Sequence, residues 1–406
     1  MKKIFLFALL GLITYNATAQ DIVIIPNSDD SRAITTGVPF ILIAADARSA
    51  GLADIGVTTS ADAFSQQWNA SKYAFALSKQ GVGVTYTPYL SSLVSDIFLG
   101  NLTYYNRLNE RSAIGFGFRY FSNGEIELRE TIDQEPLIVK PNELTFDASY
   151  SLRLNDRFSM GITGRYIRSD LKLQTANEDA TAASSFAVDV SAYYQSEEVA
   201  YDSFDGRWRG GFNISNIGPK LKYDEVGSES NLPTNLALGG GFDFILDEYN
   251  KIGVSVEFNK LLVPTPPIRG TEFVDENGNG EIDEGEEILD NNAIYEGKDP
   301  DVNFFKGMTQ SFTDAPNGFS EELQEVTWAI GAEYWFRDVF AFRAGYFNEN
   351  PEKGARQFMS LGAGFKYTTI NIDLSYLIST SSVVSPLEGT LRFGLTFSFG
   401  DEYDEY

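Results

Sequence analysis

From about residue 75 to residue 399 the apolar residues recur with a period of two, and this periodicity sets most of what the chain can become. The last segment is the clearest. Leu391, Phe393, Leu395, Phe397 and Phe399 alternate there with Arg392, Gly394, Thr396 and Ser398. Ile370, Ile372, Leu374 and Tyr376 alternate likewise with Asn371, Asp373 and Ser375, and Ile114, Phe116, Phe118 and Tyr120 with Gly115, Gly117 and Arg119. Successive side chains of a strand face opposite sides, so one face is apolar and aromatic while the other is small, polar or charged. A soluble sandwich alternates too. A membrane barrel differs in having many strands of about ten residues that turn glycine and charge inward.

Fourteen segments fit, near 77–88, 96–107, 111–122, 142–154, 158–171, 183–195, 207–217, 233–246, 249–259, 324–336, 339–347, 356–367, 369–378 and 388–399. The stretch near 124–133 reads as a possible extension of the third. An even number lets an antiparallel bacterial barrel close. The links sort by parity. Those after even strands are short turns (Leu108-Asn109-Glu110, Asn155-Asp156-Arg157, Asp247-Glu248, Arg337-Asp338 and Thr368), with one longer link near 196–206. Most of those after odd strands are long: 123–141, 172–182, 218–232, 260–323 and 379–387. Short turns on one side and long loops on the other are the outer-membrane pattern. The expected fold is therefore an all-β membrane protein, a 14-stranded antiparallel outer-membrane β-barrel over residues 75–400, with a long extracellular insertion at 260–323.

The leader agrees with export. Lys2 and Lys3 precede the apolar run Ile4 to Leu12, and Ala17-Thr18-Ala19 supplies a cleavage site, so residues 1–19 read as a signal peptide and Gln20 as the mature start. A spanning helix needs about 20 apolar residues, which neither this run nor any later stretch reaches. With no Cys there are no disulfides, thiolate metal sites or lipid attachment, and with no His the usual general base is missing. A net charge of −26 argues against nucleic acid as a partner. An enzyme is not expected.

Residues 20–74 do not alternate. Their Ala-rich, Gly-punctuated text and a short helical stretch after Thr58-Thr59-Ser60 suit a plug or hatch, because fourteen strands leave a lumen too wide for side chains alone to fill. The text "DARSAGLADIGVTTSADAFSQQWNASKYAF", residues 46 to 75, resembles the start of FadL-type outer-membrane barrels, with Asn69-Ala70-Ser71 where those carry Asn-Pro-Ala. The run "AITTGVPFILIAADARSAGLADIGVTTSADAFSQQWNASKYAF", residues 33 to 75, resembles more closely the PorV family, FadL-like barrels of the type IX secretion system of Bacteroidetes. The likeness continues through "YLSSLVSDIFLGNLTYY" and "FRYFSNGEIELR". The resemblance implies an outer-membrane component that receives exported proteins through their C-terminal signal domain at a SprA-type translocon. It also implies delivery to an attachment complex of the PorU type. A FadL-like transporter of fatty acids or other hydrophobic molecules is the alternative. A lipid-modifying enzyme is a distant third, disfavoured by the missing His. The insertion 260–323 enlarges the exposed surface and favours a receptor.

One motif carries metal chemistry. Residues 275–286 match a twelve-position calcium loop: Asp275, Asn277 and Asn279 as oxygen donors at positions one, three and five, Gly280 at six, the Glu281 carbonyl at seven, Asp283 at nine and Glu286 at twelve. Ile282 at eight is expected to pack inward. No flanking EF-hand helices are evident, so the expected ion is a structural Ca2+ that orders a surface loop. Other candidates read as structural. Asp62, Gln66 and Trp68 suit a helix cap and a plug anchor. Trp208, Trp328 and Trp335 suit aromatic girdles facing outer-membrane lipid, and residues 401–406 read as a solvated charged tail.

Overall fold

In the computed structural model, which describes residues 21–27, 31–91, 93–129, 135–171, 182–223, 229–383 and 385–403, the alternating segments are strands of one closed sheet. They are β1 (Ser78–Pro88), β2 (Ile97–Arg107), β3 (Ser112–Asn123), β4 (Asn142–Asn155), β5 (Phe158–Asp170), β6 (Ala183–Gln195) and β7 (Asp205–Ile217). The second half holds β8 (Asn235–Ile245), β9 (Asn250–Leu261), β10 (Thr327–Phe336), β11 (Phe340–Asn348), β12 (Gln357–Tyr367), β13 (Ile370–Ser379) and β14 (Leu391–Glu402). Neighbours pair antiparallel in chain order, and β1 closes the barrel on β14 in a register running from Ser78 opposite Glu402 to Tyr86 opposite Phe393. The signal peptide 1–19 lies outside the described residues.

The short turns gather at one end and the long links at the other. Arg337 and Asp338 both take positive φ (57° and 52°), as the central pair of a type I′ turn demands, and Val339 completes the three-residue link between β10 and β11. The stretch after β3 does not extend it; Ile126–Leu128 pairs with Leu137–Val139 in a separate hairpin, where the chain turns at Gly124 with φ 78°. Outward side chains form a continuous apolar belt, with Phe186, Phe342 and Leu391 each more than half exposed. In water that belt would be an aggregation surface. Against lipid it is the stable choice.

Inside the barrel, most residues from Val38 to Ala76 are buried. Inward glycines make room for them: a Cβ at Gly345 would lie 2.5 Å from the Leu52 backbone carbon, and one at Gly331 2.9 Å from the Leu52 carbonyl oxygen. Buried amides need partners, and the wall supplies them. Ala53 donates to Ser360 Oγ at 2.8 Å, and Gly56 and Val57 both donate to Glu257 Oε2 at 3.0 Å. The segment runs from the long-loop end, where Gly37 donates to the Asn231 carbonyl (2.9 Å), to the short-turn end, where Arg107 Nη1 donates to the Ala76 carbonyl (2.7 Å). The expected helix contracts to the turn Ser65–Trp68 and a 3-10 segment Ala70–Phe75.

Two boundaries move. Asp21–Pro26 is a strand that pairs antiparallel with Ile268–Asp275, placing these residues on the insertion and not among the lumenal ones. β-branched residues dominate this strand, and the insertion hairpin offers it a row of unpaired backbone groups. Asp401 and Glu402 belong to β14 and not to a solvated tail, since Ser78 pairs with Glu402 and Tyr403 donates to the Leu77 carbonyl at 2.7 Å.

Candidate functional site

Three features share the long-loop end: a lumenal cavity, a buried ionic cluster under the insertion, and the acidic loop of the insertion hairpin. The cavity measures about 770 Å³. It mixes apolar side chains of the lumenal segment (Phe40, Ile43 and Trp68) with Arg119, Glu143 and Glu257 of the wall. Deeper in the lumen Phe64 and Tyr73 are buried, with Tyr73 stacked on Tyr105 at 4.8 Å.

Charge is organised around this space. Arg165 bridges Asp147 (2.7 Å) and Asp189 (2.9 Å), and Arg343 bridges Glu333 (2.5 Å) and Asp373 (2.7 Å). Arg48 of the lumenal segment pairs with Glu333 and Asp62, both at 2.8 Å. The charged groups of the wall, Asp147, Arg165, Asp189, Glu333, Arg343 and Asp373, sit at inward positions of the alternation. Register between adjacent strands sets Asp147 opposite Arg165 and Glu333 opposite Arg343, which a single strand's sequence does not reveal.

The insertion, residues 262–326, contains α1 (Phe304–Gln310) and α2 (Phe319–Gln324). Glu325, just past α2, meets Lys260 at 2.8 Å, Lys353 at 3.0 Å and Thr265 Oγ1 at 2.7 Å. Glu322 meets Lys260 at 2.9 Å, while Glu321 meets Lys353 and Arg32. Burial works against the Glu321 carboxylate. Lys353, the Asn317 amide and Arg32 outweigh it and hold its pKa below the usual range. Burial raises Asp314, opposed by the Thr265 amide, which donates to it at 3.1 Å.

The loop 275–286 joins the strands Ile268–Asp275 and Ile288–Glu296. Asp275 accepts from the amides of Gly278 (2.6 Å) and Gly280 (2.8 Å), with both glycines at positive φ. Glu286 reaches back to the amide of Glu276 (3.1 Å) and to that of Asp283 (2.9 Å), which brings the two ends of the motif together. Asn277 and Asn279 turn their side-chain amides onto Asp283, and the Glu281 amide donates to Asn279 at 2.7 Å. Ile282 is exposed and does not pack inward. Among the described residues no three acidic side chains are placed together so as to hold a metal ion.

The remaining candidates have structural partners. Asp62 caps the amide of Phe64 (2.9 Å), Gln66 accepts from Ser149 (2.7 Å), and Trp68 donates to Asp46 (2.7 Å). Trp208 stacks edge-on against Phe242 at the short-turn end, and Trp328 lies against Tyr346 at the long-loop end, both exposed outward. Trp335 shares the inward face of Ala329, Gly331 and Glu333, with the guanidinium of Arg343 5.6 Å from its ring centre, and does not belong to the lipid-facing girdle.

Residues 26–268, from the N-terminal strand through β9, match the family described as Type IX secretion system protein PorV. The chain belongs to this family. The insertion hairpin and the five strands after it lie beyond the matched residues. No curated protein matches the chain. Among solved structures it is similar to the CymD monoaromatic hydrocarbon channel, at 13% identity over 89% of this chain and 99% of that one, with a TM-score of 0.48. The Pseudomonas putida toluene transporter TodX is similar at 11% identity over 91% and 99%, TM-score 0.47. A Pseudomonas aeruginosa FadL homologue is similar at 12% over 91% and 100%, TM-score 0.43.

Proposed function

We propose that this outer-membrane barrel of the PorV family receives exported proteins through their C-terminal signal domain at a SprA-type translocon and passes them to a PorU-type attachment complex. The family match over residues 26–268 carries the reading. Short turns then face the periplasm and long loops the outside, so the insertion and the N-terminal strand stand on the cell surface. Residues 38–76 act as a plug. A transporter of hydrophobic molecules wants a continuous passage, and here, although apolar side chains line most of the cavity beside Arg119, Glu143 and Glu257, Phe64 and Tyr73 fill the lumen below it. The chain therefore works through its outer surface as an interaction protein and not as an enzyme.

Calcium belongs to the same reading. Two carboxylates close the ends of the loop 275–286, and rotation of the Asn277 and Asn279 amides would present their oxygens to a hard cation.

Deletion tests the main reading. Cargo bearing C-terminal signal domains should stay in the periplasm or on its translocon, and growth on long-chain fatty acids should be unchanged. Normal secretion with lost fatty-acid uptake would transfer the case to transport.

A further inference from the structure

Helix α2 is inside out. Its buried face carries Glu321 and Glu322, followed by buried Glu325, while Phe319 and Leu323, one turn apart, are 75% and 57% exposed. A surface helix in water does the reverse, turning its apolar stripe to the core and its charges outward. Ion pairs hold this inversion from the buried side, and it leaves two large apolar side chains of one face turned outward.

The direction of that face is fixed by its opposite. The three glutamates are held by Lys260 at the end of β9, Lys353 in the link after β11, and Arg32 leading into the lumenal segment. All three cations sit at the rim or within the mouth of the barrel, so the acidic face points toward the lumen and the apolar face away from it. The chain then enters β10 at Thr327, where Trp328 and Ile330 face the lipid belt. Leu323 precedes Trp328 by only five residues, so the Phe319–Leu323 face stands close to the upper edge of that belt. The face presents no carboxylate of its own helix to an anionic surface.

We propose that the Phe319–Leu323 face of α2 is a membrane-contact site, seated at the headgroup–acyl boundary of the outer leaflet beside β10. Amphipathic helices bind there by burying an apolar face to shallow depth, and aromatic residues favour that level. The ionic cluster sets the orientation, and lipid contact then fastens the end of the insertion to the bilayer edge.

The chain has no cysteine, so single labels are clean. Full-length protein with F319C, L323C or N317C, each carrying an environment-sensitive fluorophore, is reconstituted into phosphatidylcholine–phosphatidylglycerol vesicles. Barrel folding is checked for each by heat-modifiable gel mobility. Labels at positions 319 and 323 should be blue-shifted relative to that at 317. They should be quenched several-fold more strongly by a lipid with a nitroxide near its headgroup, and several-fold less by aqueous iodide. Equal iodide quenching at all three positions overturns the proposal. So does shielding of 319 and 323 that appears only after a soluble protein partner is added.

Discussion

Val23 lies directly opposite Phe273 in an antiparallel pair, which ties the N-terminal strand to the same insertion that Arg32 grips through Glu321. Phe273 is wholly buried in this small sheet. The chain therefore meets the insertion first, then descends through the lumen to the short-turn end before β1 begins.

This path predicts a surface-accessible N-terminal strand. A cysteine at Ile22, which is 62% exposed, should react with an impermeant maleimide on intact cells. Paired with a cysteine at Val274, its register partner, it should form a disulfide, because opposed residues of antiparallel strands lie within disulfide reach. Labelling that requires lysis would show that the strand lies on the periplasmic side.

Within the barrel, Arg343 has no exposed side-chain surface and bridges Glu333 and Asp373. Glu333 keeps its ion pair with Arg48 if Arg343 is lost, whereas Asp373 keeps Asn371 at 2.7 Å and, among the described residues, no direct ion pair. Arg343→Met should thus cost about 3–5 kcal/mol of stability, the usual result of stranding a buried charge. Urea unfolding of the reconstituted barrel measures it. The double variant Arg343→Met with Asp373→Asn should recover part of the loss, and no recovery would place the cost in packing.

The ionic cluster under α2 should respond to acid in a defined direction. A carboxyl whose folded pKa is lowered contributes stability above its unfolded value, and that contribution is lost as pH falls through the folded value. Glu321 is such a group, facing Lys353 and Arg32 beside the Lys260–Glu325 pair. Asp314, raised by burial, shifts the opposite way and is protonated first. Protease cutting around α2 should begin to rise as pH falls through the ordinary glutamate range and reach its full rate only below it, past the lowered value of Glu321. A midpoint at or above that range would remove Glu321 from the role.

The strands were legible because each meets two unlike environments, and a period of two records both along the whole chain. The segment read as 207–217 is Asp205–Ile217, and the one read as 388–399 is Leu391–Glu402. Pairings set only by closure were not legible. Asp21–Pro26 carries a strand's composition, but its partner lies in the insertion, far along the chain. Lys260 fell in the expected loop 260–323, yet β9 continues to Leu261 and delivers that ammonium to Glu322 and Glu325. Those glutamates sit in an acidic stretch whose ordinary fate is solvation. Only the folded rim shows that they are buried.

Calcium makes the last prediction. Asp275 and Glu286 are drawn to neighbouring amides, and Asp283 is held by two asparagines, so the loop is already closed on itself. Its other carboxylates, Glu276, Glu281 and Glu284, crowd the same turn and repel one another. A bound cation would offset that repulsion and fix the tip of a hairpin whose other end is held by the N-terminal strand. Extracellular calcium modules bind at roughly 10⁻⁴ to 10⁻³ M, sufficient where external calcium is millimolar. Chelator should therefore make the insertion readily cut by protease near 275–286 while the barrel stays folded. Asp275→Ala with Glu286→Ala should give the same sensitivity with calcium present. Equal cutting of wild type and variant, with and without calcium, would reduce the motif to an acidic turn held by its own amides.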